Sequence, residues 1–530
     1  MKKLLLHYFS VVLLLLPCEV LGKRINVHTL DELIRTSAAE INSTIVVKKD
    51  INLNGRTVIL GDGIVLSFKG GSLRNGTVMG TKTKLKKTRA NVFHDCNIRG
   101  EWDVDCVYST MFDRDVEALT LLKNMSCLSP VLKLLANRSY EIHALGEIIN
   151  AEILEGDGRV KPIIVFHTID PNVEGLVISG ANVTLRNLKV IDDYDVKNDA
   201  LYGENRPTIG NTISVKGPKN EVQNLIVDNC DFQGGTSSSW VASSQTRNCR
   251  VRGCTFTGYM ADHGVYCSVK VETFMVDRCN IYDVSHVSGL FKIRTSDRLQ
   301  YFSLSNVTAH NFNGYLAFVS LLETPLAEIV YDHVTVTKDA GNTSIFYGFC
   351  MGDEREGQLQ NGYNANCITV SNCSFRYGYN SNSVIYPGSG NKVCVKEVVY
   401  KNVCASESNF GGGVVDRMVV NNSQFYDCVG EKGISINTKA LIMKNCLLQG
   451  GKNRNCLFLV NYDNQRLEYF SMHSVEIDIQ TKYLISVVGG EKIKVSLYRC
   501  SSLKPIHSIL NSGSYKRARL QMLKCDNLPE

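Results

Sequence analysis

LIVDNCDF, Leu225 to Phe232, is the stretch that decides the fold. Leu225 and Val227 alternate with polar neighbours and so share one face of a strand. The alternation breaks at Asp228–Asn229 and restarts at Cys230 and Phe232. A tight bend between two strands needs a residue that tolerates positive φ, and Asn or Gly does so most readily. The phrase recurs as VRGCTF, VDRCNI, LSNVTA, YDHVTV, VSNCSF, YKNVCA, VNNSQF, MKNCLL, MHSVEI and LYRCSS. The residue after the bend falls at Cys230, Cys254, Cys279, Val307, Val334, Cys373, Val403, Ser423, Cys446, Val475 and Cys500. Asn229, Gly253, Asn306, Asn372, Asn402, Asn422 and Asn445 are therefore expected to carry positive φ.

A second series of short apolar strands shadows the first: GVYCS, LFKIR, YLAFVS, SIFYGF, SVIYPG, GVVDR, GISIN, CLFLVN, YLISVV and HSILN. Both series stretch together between Val334 and Cys373. Two strand series that share one irregular period imply stacked coils rather than independent hairpins. The expected fold is all-β, a parallel β-helix over 151–530. The cysteines after the bend then point inward and fill a narrow core, read as reduced thiols, with a disulfide between neighbouring coils ~4.8 Å apart left open by distance.

The remaining composition fits this picture. With 530 residues the chain exceeds one ordinary core, and 44% hydrophobic against 21% charged residues places it among globular proteins. The formal charge of +6 is spread along the chain, so no nucleic-acid partner is expected. Lys2 and Lys3 precede the apolar run Leu4–Leu16, which ends near Gly22. The run is shorter than the ~20 residues that span a bilayer. Residues 1–22 read as a secretory signal peptide, giving an exported protein with no membrane insertion. Residues 23–150 read as an N-terminal cap and opening solenoid section. Within it FDRDVEALTLLKNM, 112–125, reads as a helix with Val116, Leu119 and Leu122 on one side. Such a helix would shield strand edges at the end of a solenoid.

The coils, together with GGSLRNGTVMG, IRGEW and DRDVEAL, resemble the right-handed parallel β-helix of the pectin-lyase-like superfamily. The resemblance spans most of the chain from Ile51 onward. It implies a polysaccharide partner, and it leaves the oligomeric state open.

DHGVYCSV, Asp262 to Val269, and FKIRTS, Phe291 to Ser296, lie about one coil apart. Aligning Val265 with Phe291 stacks Tyr266 under Lys292 and Ser268 under Arg294, all facing outward. His263 lies at the bend before the first strand and His286 before the second. Imidazole, phenol, ammonium and guanidinium together suit an acidic sugar, because cations neutralise a uronate and His, Lys or Tyr exchange protons. The order also resembles polygalacturonase-type glycoside hydrolases, which carry a Gly-His-Gly turn and, one coil later, an Arg-Ile-Lys strand. His263 and Gly264 match the turn, with Asp262 in place of the first glycine. Lys292, Ile293 and Arg294 match the strand with the cations exchanged. The preceding coil, GGTSSSWVASS (Gly234–Ser244), has serines where that family has aspartates. Hydrolysis with an acid and a base normally needs two carboxylates, and only Asp231 and Asp262 stand near.

A lyase-like reaction on acidic glycans remains, with Lys292 or His263 as base, Tyr266 or His263 as acid and Arg294 as carboxylate clamp. Trp240 and His286 are candidate sugar-binding residues. Trp240 has a phase that fits either the core or an exterior stacking platform. Asp192, Asp193, Asp195 and Asp199 in DDYDVKND offer oxygen ligands for Ca2+, although the run also suits a solvated loop. The alternative function is a non-catalytic, adhesin-type solenoid that captures carbohydrate.

Overall fold

The structure, a computed structural model, describes residues 23–529. Excepted are single positions 137, 144, 169, 171, 237, 261, 297 and 345, and segments 195–209, 286–288, 322–326, 352–364, 377–389, 397–398, 402–407, 411–414, 427–433, 437–438, 451–453, 461–466, 488–492 and 511–518. The segment read as a signal peptide, His286, Asp195, Asp199 and Asn402 lie outside the described residues. The chain divides into two compact units, Met1–Leu135 and Ala136–Glu530.

In the first unit all strand pairs are parallel. Thr44–Val47 lies between Arg24–Val27 and Val65–Phe68, and the long strands Leu73–Leu85 and Phe93–Asp103 pair along their length. Helix α1, Leu30–Ala39, was not expected from sequence. Thr29 and Glu32 cap it reciprocally, each side chain accepting from the other's backbone end. Helix α2, Ala118–Leu128, begins later than the expected 112–125. The Glu117 carboxylate accepts from Leu119 N and Thr120 N at 3.0 and 2.7 Å, which fixes the start there. Leu119 and Leu122 are buried as expected, whereas Val116 precedes the helix. Asn124 docks α2 on Phe93–Asp103 by donating to Cys96 O and accepting from Ile98 N. Among the described residues no helix is long and apolar enough to cross a membrane.

The second unit is the expected parallel β-helix, and the structure shows about 14 β-solenoid turns. Each coil contributes strands to three sheets. In one coil Val222–Asp228 belongs to sheet I, Asp231–Thr236 to sheet II and Ser239–Ser244 to sheet III. The next coil supplies Thr246–Arg252, Thr255–Met260 and His263–Ser268, paired in register above them. The recurring phrase is thus sheet I, bend and sheet II, except in YKNVCA, whose Tyr400 and Lys401 already lie in sheet II, paired with Phe375 and Arg376. The second series starts in sheet III from GVYCS to SIFYGF, whereas Val415–Arg417 of GVVDR lies in sheet I and SVIYPG lies outside the described residues. After Phe346–Met351, the strands Ser408–Phe410 to Ile506–Leu510 form a separate sheet.

The bend matches its sequence reading. Asn229, Gly253, Asn306, Asn372, Asn422 and Asn445 have φ between 48° and 62°. Arg278, His333, Ser474 and Arg499 occupy the same column at 51–54°, so the coil geometry imposes the conformation even where the residue resists it. Each bend N–H donates to the coil above, as from Asn229 to Arg252 O and from Gly253 to Asp277 O. Asn229 also donates to Asn187 Oδ1 at 3.1 Å. Asn229→Ala is expected to destabilise the protein by about 1 kcal/mol, and Asn229→Gly by less, in urea denaturation.

The core is built of vertical columns. Leu225, Cys249, Phe274, Phe302 and Ile329 stack in sheet I, and Phe232, Phe256, Ile281, Ala309 and Val336 in sheet II. Cys230, Cys254 and Cys279 stack inside at the bend, each fully buried. Cys230, Cys254 and Cys279 are free, as are the other cysteines whose side chains are described.

Candidate functional site

The expected register in sheet III is present. Val265 pairs Phe291, Tyr266 pairs Lys292, Cys267 pairs Ile293 and Ser268 pairs Arg294. Val265, Cys267, Phe291 and Ile293 are fully buried, which leaves Tyr266 and Lys292 on the outward row. That row is not an open surface. Ser214, Ala242, Lys292 and Phe318 are between 3% and 9% exposed, and Tyr266 is half-buried. The Lys292 ammonium lies 4.8 Å from the centre of the Phe318 ring, a cation–π contact in dry surroundings. Arg294, two residues on, is exposed.

His263 opens its strand and is 3% exposed. Its Nδ1 lies 3.1 Å from Gly289 O and its Nε2 2.9 Å from Asp262 Oδ2. A carbonyl can only accept, so Nδ1 carries a proton and donates to Gly289. The Nε2 contact sets the ring's other nitrogen against the Asp262 carboxylate. The ring also stacks on Tyr266 at 5.1 Å. Burial holds the imidazole below its ordinary pKa, against the pull of Asp262 and with the help of Lys292. Gly289 is required here, because a Cβ would lie 2.6 Å from Phe318 Cβ. His263, Gly289, Lys292 and Phe318 therefore form one shielded group, with Tyr266 half-buried and the Asp262 side chain 35% exposed at its edge.

The other expected residues part company with this group. Trp240 takes the core position. Its indole is fully buried and stacks on Phe232 and Phe256 at 5.8 and 5.7 Å, so it offers no face to a sugar. Asp231 is held by Lys161 at 2.8 Å and Asp262 by His263, so the two carboxylates are engaged separately. Asp192 and Asp193 end the strand Lys189–Asp193 and, by strand alternation, face opposite ways. Their side chains do not converge, and Asp195 and Asp199 of the Ca2+ reading lie outside the described residues. Among the described residues no group of three or more His, Cys, Asp or Glu is arranged to hold a metal ion.

Asp192 is 2% exposed and accepts from Thr212 Oγ1 at 2.6 Å and Tyr194 N at 3.1 Å. Burial pushes its carboxyl up to about 6, although Thr212, Thr168 and Tyr194 pull the other way. Asp193 faces solvent and joins a cluster that sequence reading missed. His167 Nδ1 donates to Asp193 Oδ2 at 2.6 Å and its Nε2 donates to Glu141 Oε2 at 2.8 Å. Two carboxylate acceptors make this ring an imidazolium, and Glu141 first, then Asp193, raise its pKa. The His143 ring stacks on it at 4.3 Å, nearly parallel. YEIH (Tyr140–His143) and VFHT (Val165–Thr168) are one coil apart, and that spacing was the available signal. The cluster ties three successive coils together.

Compared with known proteins, the chain matches no family model, no curated protein and no solved structure.

Proposed function

We propose that the protein is an exported β-helix that holds acidic polysaccharide along sheet III without cleaving it. One observation carries this reading. The groups that would move protons, His263 and Lys292, are each 3% exposed, while Arg294 remains at the surface. Both nitrogens of His263 are already committed to Gly289 and Asp262. A base that cannot meet the substrate cannot abstract its proton. A guanidinium at the surface can take a uronate carboxylate in bidentate fashion, and the half-buried Tyr266 ring one coil away adds an amphipathic surface. The export half of the proposal rests on Lys2–Gly22, and the carbohydrate half on the resemblance of the coils to pectin-lyase-like proteins.

A second reading, β-elimination at Lys292 and Tyr266, is favoured by the dry cluster itself, since perturbed ionisable groups concentrate at active sites. The two readings separate in one experiment. Against a panel of acidic polysaccharides, affinity electrophoresis is expected to show retardation with no absorbance from unsaturated uronate ends. Arg294→Ala is expected to weaken that binding about tenfold, the loss of one charge-assisted contact. Unsaturated product that disappears with Lys292→Ala would establish the lyase instead. Failure to retard any acidic glycan would exclude binding.

A further inference from the structure

Sheet I ends with the strands Val415–Asn421, Ala440–Lys444, Tyr469–His473, Lys494–Tyr498 and Arg519–Leu523, paired in register. Phe470, Met472, Val495 and Leu497 are buried, so the alternate residues face outward. One outward row carries Arg417, Tyr469, Lys494 and Arg519, and a parallel row carries Lys444, His473 and Tyr498. The cations are exposed and the three rings half-buried. The His473 and Tyr498 rings stack at 4.6 Å, and the Arg499 guanidinium lies 5.1 Å from the Tyr498 ring centre. The Lys494 ammonium lies 5.9 Å from the Tyr469 ring centre. No acidic residue stands in these rows; Glu468 precedes them. Among the described residues Arg417, Lys444, Lys494, Arg499 and Arg519 have no ion-pair partner. Upstream the same face is different. There Asp228 holds Arg252 at 2.9 and 3.1 Å, and Asp277 and Asp332 follow on later coils.

We infer that the C-terminal end of sheet I is a second docking surface, for a uronate-bearing polysaccharide. The inference rests on the reading of the partner as an acidic glycan, but not on Arg294, which lies on sheet III. Charge complementarity carries it. Cations without protein counter-ions keep their charge for a ligand. Lys494 and Arg519 pair across adjacent strands, one spacing of ~4.8 Å apart. A glycan chain running along the tube axis therefore meets a fresh cation on successive coils. The guanidinium of Arg519 can take a carboxylate in bidentate fashion, and Lys494 offers a point charge. Tyr498 is already engaged by His473 and Arg499, so it offers a ligand its hydroxyl edge. That edge suits sugar hydroxyls, whereas a nucleobase would need an open ring face.

The test is affinity electrophoresis of the full-length protein in gels containing polygalacturonate or neutral dextran, with every variant shown folded by circular dichroism. The parent is expected to be retarded by polygalacturonate and not by dextran. The double variant Lys494→Ala/Arg519→Ala is expected to bind about tenfold more weakly, and Tyr498→Phe, which keeps the ring, about threefold. Arg35→Ala/Arg56→Ala removes the same charge from exposed positions of the first unit and is expected to bind like the parent. Equal loss in both double variants would reduce the effect to net charge and overturn the surface. Binding unchanged by Lys494→Ala/Arg519→Ala but weakened by Arg294→Ala would overturn it too, and would leave the sheet III reading standing. A parent that polygalacturonate does not retard would remove the acidic-glycan reading, and this surface with it. A single-stranded oligonucleotide that binds the parent more tightly than polygalacturonate, and loses that hold in Lys494→Ala/Arg519→Ala, would overturn the choice of partner.

Discussion

Trp240→Ala is expected to cost about 3–5 kcal/mol, the range for truncating a buried large aromatic. Trp240 is fully buried and sits in a stack with Phe232 and Phe256 that continues edge-on to Phe291. Removing the indole opens a cavity across two coils, and the neighbouring rings cannot collapse into it without breaking register. Trp240→Phe separates packing from polarity. The indole Nε1–H and the adjacent Ser239 hydroxyl are buried without a hydrogen-bond partner. Phenylalanine keeps most of the stacked area and removes one unsatisfied donor, which offsets part of the lost volume. Equilibrium urea denaturation followed by circular dichroism is expected to place Phe well above Ala. Equal loss in both would mean that the ring stack contributes little.

Asp192→Asn is expected to stabilise the protein at pH 7 and to remove a pH dependence. The folded carboxyl titrates at about 6 against an ordinary 3.8, because it is buried. The folded state therefore holds the proton more tightly than the unfolded state. The stability this confers is complete below about pH 3.8 and falls as pH rises toward 6, then stays flat. The gap corresponds to roughly 3 kcal/mol. Asparagine remains neutral throughout, keeps an acceptor for Tyr194 N–H and presents an amide to the Thr212 hydroxyl, which can turn to accept. A gain of about 1–3 kcal/mol at pH 7, vanishing toward pH 4, is the expected result. A variant less stable than the parent at both pH values would show that the ionised carboxylate is the favoured form.

The tube was legible because its two rules are local. Alternation marks inside and outside, and the Asn, Gly and Cys around each bend mark where one strand hands over to the next. Those rules placed Cys230 over Cys254 and Tyr266 under Lys292 correctly. They could not show that the outward row is covered, because Lys292 is shielded by Phe318 from the next coil, 26 residues away in sequence. Trp240 had no legible phase for a related reason. Trp240, Val241 and Ala242 are all buried, so alternation fails where the chain enters sheet III. Asp193 was singled out only as a possible Ca2+ ligand, and its cluster with Glu141 and His167 was missed because the three come from coils that precede the regular phrase. Helix α1 was missed although Thr29 and Glu32 carried its capping signal.

The bend column has a mechanical corollary. The backbone fastens each winding to those directly above and below, by amide bonds that run both ways, as from Asn229 to Arg252 O in the following coil and from Thr255 to Cys230 O in the preceding one. Pulled from its last strand, such a molecule should tear like perforated paper, releasing one winding per rupture and leaving the rest whole. A fibre of many weak seams in series dissipates far more work than one brittle joint of equal total strength.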